Sequence, residues 1–349
     1  MRRSTFSIVI PARNGEQFIT AAMRSALDQK RSADEVIVLD DASADRTGDI
    51  IRSPEFRGRV ICYYNKNSTG FADAWNRAAE KAQGDFVTIL HQDDLLHPDY
   101  LDHMEKAVSR YPGIRHLYAA CDYIDAGGNI TGTPPGPHSP EPVLYSGREY
   151  AHNYLNGVVT NRHIHRCPGV TTSRELLLRD CSYRKEAGHI ADDDFFLRVG
   201  AYTDVVGISR PLASYREHPG SATSKVGSLA LQLARDYLFQ VSHHKEHNTL
   251  LDDSDKTHVN RMAVKFINLL LFQSLLNDKR AGMDEALRLR EELDSLLPLF
   301  MEKNLPLWAK ILWDMTRHGK KNMKASLYAK ILNGGIQTRN FIRSSYRRR

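Results

Sequence analysis

Short apolar runs alternate with amphipathic segments over the first 125 residues of the chain. Four apolar runs predict β-strands, at Phe6–Ile10, Val36–Leu39, Val60–Tyr64 and Phe86–Leu90. Segments of helical periodicity lie around 15–28, 45–52, 69–82 and 98–110. Such alternation is typical of a mostly parallel sheet flanked by helices. The runs at Val36 and Phe86 are continuously apolar, so we expect helices on both faces of the sheet.

The pattern changes further along the chain. A strand predicted at Leu117–Ile124 runs into a Gly-rich turn at Asp125–Asn129, which indicates a hairpin, and five prolines in Thr133–Pro142 indicate an extended loop. Ser146 and Glu149 have capping-box spacing and predict a helix start. Beyond Lys225 only helical periodicity remains, around 226–247, 256–277, 283–297 and 305–332. We therefore predict two domains, a sheet domain at 1–222 and a helical domain at 223–349.

Composition excludes several classes of protein. The 349 residues are 41% hydrophobic and 26% charged, which is incompatible with a disordered chain. The longest apolar stretch, 266–276, is interrupted by Asn268 and Gln273 and is shorter than the roughly 20 residues of a membrane-spanning helix. The N-terminus lacks the apolar core of a signal peptide. Four cysteines without a Cys-x-x-Cys pair predict reduced thiols, and we expect a cytoplasmic protein.

The positive charge is concentrated at the C-terminus. The net charge is +6, yet the first 316 residues hold 38 basic and 42 acidic residues, whereas 317–349 hold ten basic and no acidic ones. Together with apolar residues at helical spacing from Leu307 to Met315, residues 305–349 could bind an anionic membrane surface, on the inner face of the cell membrane. The alternative is a helix packed on its own domain with a solvated basic end. No recognised module accompanies the charge, so nucleic acid is not an expected partner.

Polar residues follow three of the predicted strands, in Pro11–Gly15, Asp40–Asp45 and His91–Asp94. Ligands of open parallel sheets bind outside the carboxyl ends of the strands, so these loops are expected to form one crevice. Ser43 and Asp45 are interpreted as helix caps. The adjacent carboxylates Asp93 and Asp94 repel each other unless a cation is bound, and such oxygen ligands suit Mg²⁺ or Mn²⁺ on a diphosphate.

The ordered segments Ile8–Asn14, Val36–Asp45 and Gln92–Asp99 resemble the corresponding motifs of glycosyltransferase family 2, which has the GT-A fold. The resemblance covers roughly residues 5–222. It implies inverting transfer from a nucleotide-diphosphate sugar, with a UDP-sugar favoured, to a hydroxyl of a glycan or polyprenyl-linked acceptor. Bacterial surface polysaccharide assembly is the implied setting.

The resemblance also implies roles for the residues at the donor side. The segment Pro11, Ala12, Arg13 and Asn14 and the pair Asp40 and Asp41 would hold the nucleoside, with Asp40 the first choice for accepting a base N–H. Asp94 would bind the metal, and Asp93 the ribose or the metal. His91 stands where the first Asp of the family's D-x-D-D pattern is common, so the resemblance does not assign the contact that this first Asp makes.

Two further segments resemble family landmarks. Ile190–Arg198 corresponds to the acidic pair that opens the base-bearing helix, with Ala191 at the Glu position and Asp192 at the Asp position. Asp192 is therefore the implied general base, with Asp193 as the second choice; a helix N-terminus that simply favours acidic residues is the alternative. Around Tyr215–Ser221, His218 would complete the metal site and Arg216 could clamp phosphate oxygens. His163, His165 and His189 are interpreted as structural.

Two rival functions stay open on the sequence alone. A sugar nucleotidyltransferase would need a Gly-rich phosphate loop after the first strand, where this chain has a single glycine, Gly15. A non-catalytic scaffold acting through its helical domain is the other, because His91 and Ala191 replace acidic residues of the family pattern.

Overall fold

The computed structural model describes residues 3–134, 136–160, 164–221, 230–247, 250–276 and 280–296. The chain divides into two compact units, the first comprising Met1–Ser224 with Asn248–Asp255 and the second comprising Lys225–His247 with Lys256–Arg349. The predicted boundary after residue 222 falls within 222–229, outside the described residues, and stays a prediction.

The described strands of the first unit form one sheet. They are β1 Phe6–Ala12, β2 Glu35–Asp40, β3 Ile61–Tyr64, β4 Phe86–Ile89, β5 Leu95–Leu96, β6 His116–Ile124, β7 Ile130–Gly132, β8 Val143–Tyr145, β9 Val170–Ser173 and β10 Val205–Arg216. Their order is β3-β2-β1-β4-β9-β6-β10-β5, with β7 on β6 and β8 on β10. All strands of the first 90 residues that the apolar runs predict are present and parallel.

Helices flank the sheet. They are α1 Ile19–Leu27, α2 Thr47–Ile51, α3 Phe71–Lys81, α4 Tyr100–Arg110, α5 Gly147–Thr160 and α6 Ala191–Val199. The first four begin two to four residues later than the periodicity predicts. Ile8 and Val9 point to opposite faces of β1 and are both fully buried, so both faces are covered as expected. Each side chain of this size contributes about 1.5–3 kcal/mol when it is buried. The predicted fold class, a mostly parallel α/β sheet between helices, is confirmed.

The second half of the chain also follows its pattern. β6 and β7 form the predicted antiparallel hairpin, with Gly128 in the left-handed region (φ 87°). The described residues of 133–142 lie in neither helix nor strand, as the prolines predict. Ser146 Oγ accepts a hydrogen bond from Glu149 N at 3.2 Å at the start of α5.

Three C-terminal helices coincide with predicted ones: α7 Ala230–His247, α8 Asp253–Leu276 and α9 Arg280–Leu296. The predicted helix at 305–332 and the basic tail lie outside the described residues. Among the helices that are described, none combines the length and hydropathy needed to cross a membrane.

The strand directions decide where the loops meet. β9 runs antiparallel to both β4 and β6, and β10 runs parallel to β6. The carboxyl ends of β6 and β10 therefore lie at the same edge as those of β1, β2 and β4. Residues more than 120 positions apart, such as Asp93 and Arg216, are brought together there.

Candidate active site

The three polar loops predicted to converge do so through hydrogen bonds. Gln92 Oε1 accepts from Arg13 N at 2.7 Å, and Gln92 Nε2 donates to Arg13 O at 3.0 Å. Asn14 N donates to Ser43 Oγ at 2.9 Å, which joins the loops after β1 and β2. A Cβ on Gly15 would lie 2.3 Å from Gln92 Oε1, so any other residue here would displace the Gln92 amide from its contacts with Arg13.

The two aspartates after β2 have different surroundings. Asp41 is 3% exposed and accepts hydrogen bonds from Asn65 Nδ2 at 2.7 Å, Ser68 Oγ at 2.8 Å, and both N and Oγ1 of Thr69. Burial opposes its charge, yet these hydrogen bonds hold the pKa of Asp41 below its ordinary value. Asp40 Oδ1 accepts from Ser43 N at 2.9 Å. Asp41 thus anchors the loop at 65–69.

The remaining residues of the predicted nucleoside segment frame this loop. Pro11 and Ala12 are buried at the end of β1, and Arg13 and Asn14 follow them at the crevice. Arg13 Nη1 donates to Ser68 Oγ. The predicted helix caps are wrong, because the N-cap position of α2 is Arg46. Asp45 accepts from Thr47 N at 2.9 Å from one residue further out, and Ser43 Oγ accepts from Asn14 N instead.

The predicted metal residues meet after β4. Asp94 is 1% exposed, and its Oδ1 accepts from Arg216 N at 2.8 Å. Its Oδ2 has no hydrogen-bond partner among the described residues. Burial and the charge of Asp93 raise the pKa of Asp94 well above its ordinary value. His218 Nε2 lies 3.1 Å from Asp93 Oδ2, so the structure brings His218 to Asp93.

His91 also lies beside these carboxylates, although the sequence did not identify it as a metal ligand. His91, Asp93 and Asp94 each offer a ligand atom, and these atoms lie within 4.8 Å of one another. Carboxylate oxygens and a neutral imidazole nitrogen suit a divalent transition metal, and the buried, unpartnered Asp94 Oδ2 fits a bound cation. The signals in the sequence were the position of His91 after an apolar strand and its place at the first Asp of the D-x-D-D pattern.

Arg216 is committed to the protein's own backbone. Its Nε donates to Asp93 O at 2.7 Å, and its Nη1 donates to Asp125 O at 2.9 Å and Ala126 O at 3.3 Å. The guanidinium also lies 4.8 Å from the centre of the Phe18 ring. Arg216 therefore ties the loop after β4 to the loop after β6.

The three consecutive aspartates of α6 separate into distinct environments. Asp194 is fully buried and pairs with Arg198 Nε at 2.8 Å. Asp193 Oδ1 accepts from Tyr154 OH at 2.6 Å, and burial with the charge of Asp192 raises the pKa of Asp193 to about 7. Asp192 Oδ2 accepts from Cys167 Sγ at 3.3 Å. Of the three, Asp194 is the one that forms a close ion pair with an arginine.

The helix carrying Asp192 lies near the loop after β4. His91 and Cys167 line one cavity, and Cys167 donates to Asp192. Burial lowers the pKa of His91, and the charges of Asp93 and Asp192 act against that effect. Arg166, which no motif pointed to, lies with its guanidinium 5.1 Å from the centre of the Tyr215 ring. Its charge favours the ionised forms of Asp94 and Asp193. The candidate base and the candidate metal residues thus share one electrostatic environment.

Of the three histidines interpreted as structural, His165 and His189 are described. His165 is buried in an aromatic cluster and contacts Tyr150 OH at 2.8 Å, and burial lowers the pKa of its imidazole well below the ordinary value. His189 packs edge-on against Phe71, and His163 lies outside the described residues. All four cysteines are free thiols, and three of them are buried.

Comparison with known proteins gives the class. Residues 7–144 match the family described as Glycosyl transferase family 2, and these residues include β1 to β4 and the Asp93–Asp94 pair. The similarity to glycosyltransferase family 2 is thus shown for residues 7–144 of the chain.

Relatives and solved structures agree with this assignment. The chain is 35% identical to an uncharacterized glycosyltransferase of Rickettsia typhi over 35% of its own length and 39% of the relative. It is 26% identical to the amylovoran biosynthesis glycosyltransferase AmsB of Erwinia amylovora over 62% of this chain and 70% of that one. S. aureus TarS 1-349 in complex with UDP-GlcNAc is 17% identical, with a TM-score of 0.60 over 91% of this chain and 93% of that one. The chain covers 53% of the longer TarS chain (TM-score 0.61), and these likenesses show the GT-A-like fold.

Proposed function

We propose that this chain is an inverting glycosyltransferase. It would move a sugar from a nucleoside-diphosphate sugar to a hydroxyl of a glycan or polyprenyl-linked acceptor. The observation that carries the proposal is the meeting, at one sheet edge, of Asp40, the carboxylates after β4 and the Asp192 helix. AmsB is named for amylovoran biosynthesis, which supports bacterial surface polysaccharide assembly as the setting. TarS shares the fold and is complexed with UDP-GlcNAc, so UDP-GlcNAc is the first donor to test.

On the donor side, the chain's own residues bind and orient the nucleotide. Asp40 would accept an N–H of the base, and the Arg13–Asn14 backbone, fixed by Gln92 and Ser43, would border the nucleoside. Asp41 would act indirectly, by holding the loop at 65–69. Asp93, Asp94 and His218 would hold Mn²⁺ or Mg²⁺, which neutralises charge on the departing diphosphate when it is bound.

On the acceptor side, Asp192 would take the proton. The acceptor oxygen attacks the anomeric carbon, the bond from that carbon to the diphosphate oxygen breaks, and the hydroxyl proton passes to Asp192. This single displacement inverts the configuration and needs no covalent intermediate. The Cys167 thiol, donating to Asp192 Oδ2, would keep the carboxylate oriented.

Arg216 is better suited to positioning than to clamping phosphate. Its Nε and Nη1 donate to backbone carbonyls, and its own N donates to Asp94. We therefore assign it the role of holding the loop after β4 in register with β10.

The test combines binding and turnover. Calorimetry of UDP with and without Mn²⁺ should show metal-linked binding to the full chain. Release of UDP from UDP-GlcNAc and other nucleotide sugars should fall about 10²- to 10⁴-fold in Asp192→Asn, the range contributed by general base catalysis, with UDP affinity retained. Asp193→Asn is the matched control.

Two outcomes would count against the proposal. If neither UDP binding nor turnover of any nucleotide sugar tested depends on metal, the metal-dependent transferase is refuted and the scaffold alternative gains. If Asp192→Asn turns over like wild type while Asp193→Asn does not, the base is Asp193.

A further inference from the structure

We propose that His91 is itself a ligand of the divalent cation, and that the site therefore selects a transition-metal ion over Mg²⁺. The proposal rests on the proposed function, because it concerns the same site. His91 stands where the D-x-D-D pattern of the family has its first carboxylate.

The His91 ring is held in a fixed orientation beside the carboxylates. It is placed directly after β4 and stacks on Trp75, with ring centres 4.9 Å apart and planes at 22°. Its Nε2 is buried and has no hydrogen-bond partner in the part of the chain that the structure describes. The imidazole is therefore ordered without a polar contact at that nitrogen.

The Asp94 carboxylate supplies an independent indication of a ligand. Its Oδ2 is buried and unpartnered among the described residues, and it lies 3.7 Å from His91 Nδ1. This distance is too long for a hydrogen bond. It is compatible with two ligands of one ion, since metal–nitrogen and metal–oxygen bonds are each about 2.0–2.2 Å. An uncompensated buried oxygen is costly, and a cation would satisfy it.

The neighbouring contacts preorganise the group. Arg216 N fixes Asp94 through Oδ1, and Arg216 Nε fixes the Asp93 carbonyl. Oδ2 of Asp94 is thereby left facing His91. Asp93 Oδ2 contacts a second imidazole, that of His218, at 3.1 Å.

This donor set differs in chemistry from a magnesium site. Mg²⁺ prefers oxygen ligands and near-ideal octahedral geometry, whereas imidazole nitrogen favours later transition metals. A His91 nitrogen in place of an oxygen ligand should weaken the binding of Mg²⁺ relative to the binding of Co²⁺. Returning a carboxylate to position 91 should reverse the preference.

The experiment compares three ions on the full chain in the presence of UDP. MgCl₂, MnCl₂ and CoCl₂ are titrated by calorimetry, and bound Co²⁺ is followed by its visible absorption. The reference protein and all variants carry His152→Gln, because His152, Asp252 and Asp255 form a second group that could hold Co²⁺. Wild type below means the reference protein, which is unchanged at position 91. Wild type should bind Co²⁺ more tightly than Mg²⁺. His91→Asp should lower the Co²⁺-to-Mg²⁺ affinity ratio about 10- to 100-fold, the effect seen even for partners of metal ligands, and change the Co²⁺ spectrum.

Controls separate this inference from the proposed function. His91→Gln keeps a side chain of similar size without the imidazole and should also lower the ratio, and His138→Gln, at an exposed residue, should not. If His91→Asp and His91→Gln leave ratio and spectrum unchanged while Asp93→Asn abolishes metal binding, His91 is not a ligand and the proposed metal site stands. If wild type binds none of the three ions with UDP, both the inference and the metal-dependent transferase are refuted.

Discussion

Asp40 and Asp41 are adjacent and chemically identical, yet their hydrogen bonds differ and we propose different roles for them, which makes them a sharp test. Asp41 receives four donor groups, from Asn65, Ser68 and the N and Oγ1 of Thr69. A hydrogen bond to a charged group is worth about 1.5–3 kcal/mol, but donors in a half-exposed loop regain water when the bond is lost. We therefore assign about 1 kcal/mol of stabilisation to each of these four hydrogen bonds.

Asp41→Ala should therefore lower the free energy of unfolding by about 4 kcal/mol, which is roughly 8–16 °C in Tm for a domain of this size. Asp41→Asn keeps one acceptor oxygen and should lose about 2 kcal/mol, because only charge assistance and one acceptor are removed. Asp40→Asn retains an acceptor for Ser43 N and should leave the free energy of unfolding nearly unchanged. It should lower the affinity for UDP about tenfold.

The assay is urea denaturation followed by circular dichroism, with UDP calorimetry on the same proteins. The folded-state pKa of Asp41 lies below its unfolded value of about 3.9. Its stabilisation is thus present at pH 7 and is lost as the pH falls through the folded pKa, so the gap between wild type and Asp41→Asn should shrink below about pH 4. If Asp41→Ala is as stable as wild type but no longer binds UDP, Asp41 does not anchor the loop at 65–69. Wild-type UDP affinity in Asp40→Asn would refute the nucleoside role.

Two further predictions concern α6 and the tail. Asp194→Asn should cost about 3–5 kcal/mol in urea denaturation, because it leaves the buried Arg198 guanidinium without its carboxylate; a loss below about 1 kcal/mol would show that Ser182 O and Cys181 suffice as partners. Truncation after Asn333 should reduce co-sedimentation with anionic liposomes relative to the full chain, since each basic residue near the surface adds about 1 kcal/mol. Equal sedimentation of both proteins, or none by the full chain, would contradict membrane binding through residues 305–349.

Local patterns predicted the elements well because they depend on neighbouring residues. The continuous apolar runs at Val36–Leu39 and Phe86–Leu90 became β2 and β4, and the capping spacing at Ser146 became the start of α5. The resemblance of three short motifs led to the family that residues 7–144 match. The proposed roles of Asp40, Asp93, Asp94, Asp192 and His218 stay predictions until they are tested.

Roles that depend on distant partners could not be read from the chain. Asp194 pairs with Arg198, four residues along α6, which is a spacing that the chain itself shows. Cys167, the partner of Asp192, lies 25 residues away in the chain, and only the fold supplies it. Arg216 resembled a phosphate clamp, but its hydrogen bonds to Asp93 O and Asp125 O arise from strands that meet across the sheet. Arg166 had no motif at all.

The sequence by itself determined the alternating strands and helices, the acidic loops that follow them and the separation of a basic tail from an acidic remainder. Tertiary structure decided which of these carboxylates are buried, paired or left with an open oxygen. The physical reason is that hydrophobic periodicity acts over a few residues, whereas desolvation and hydrogen bonding at a carboxylate depend on whatever the sheet order places against it. At Asp94, that neighbour is Arg216, 122 residues away.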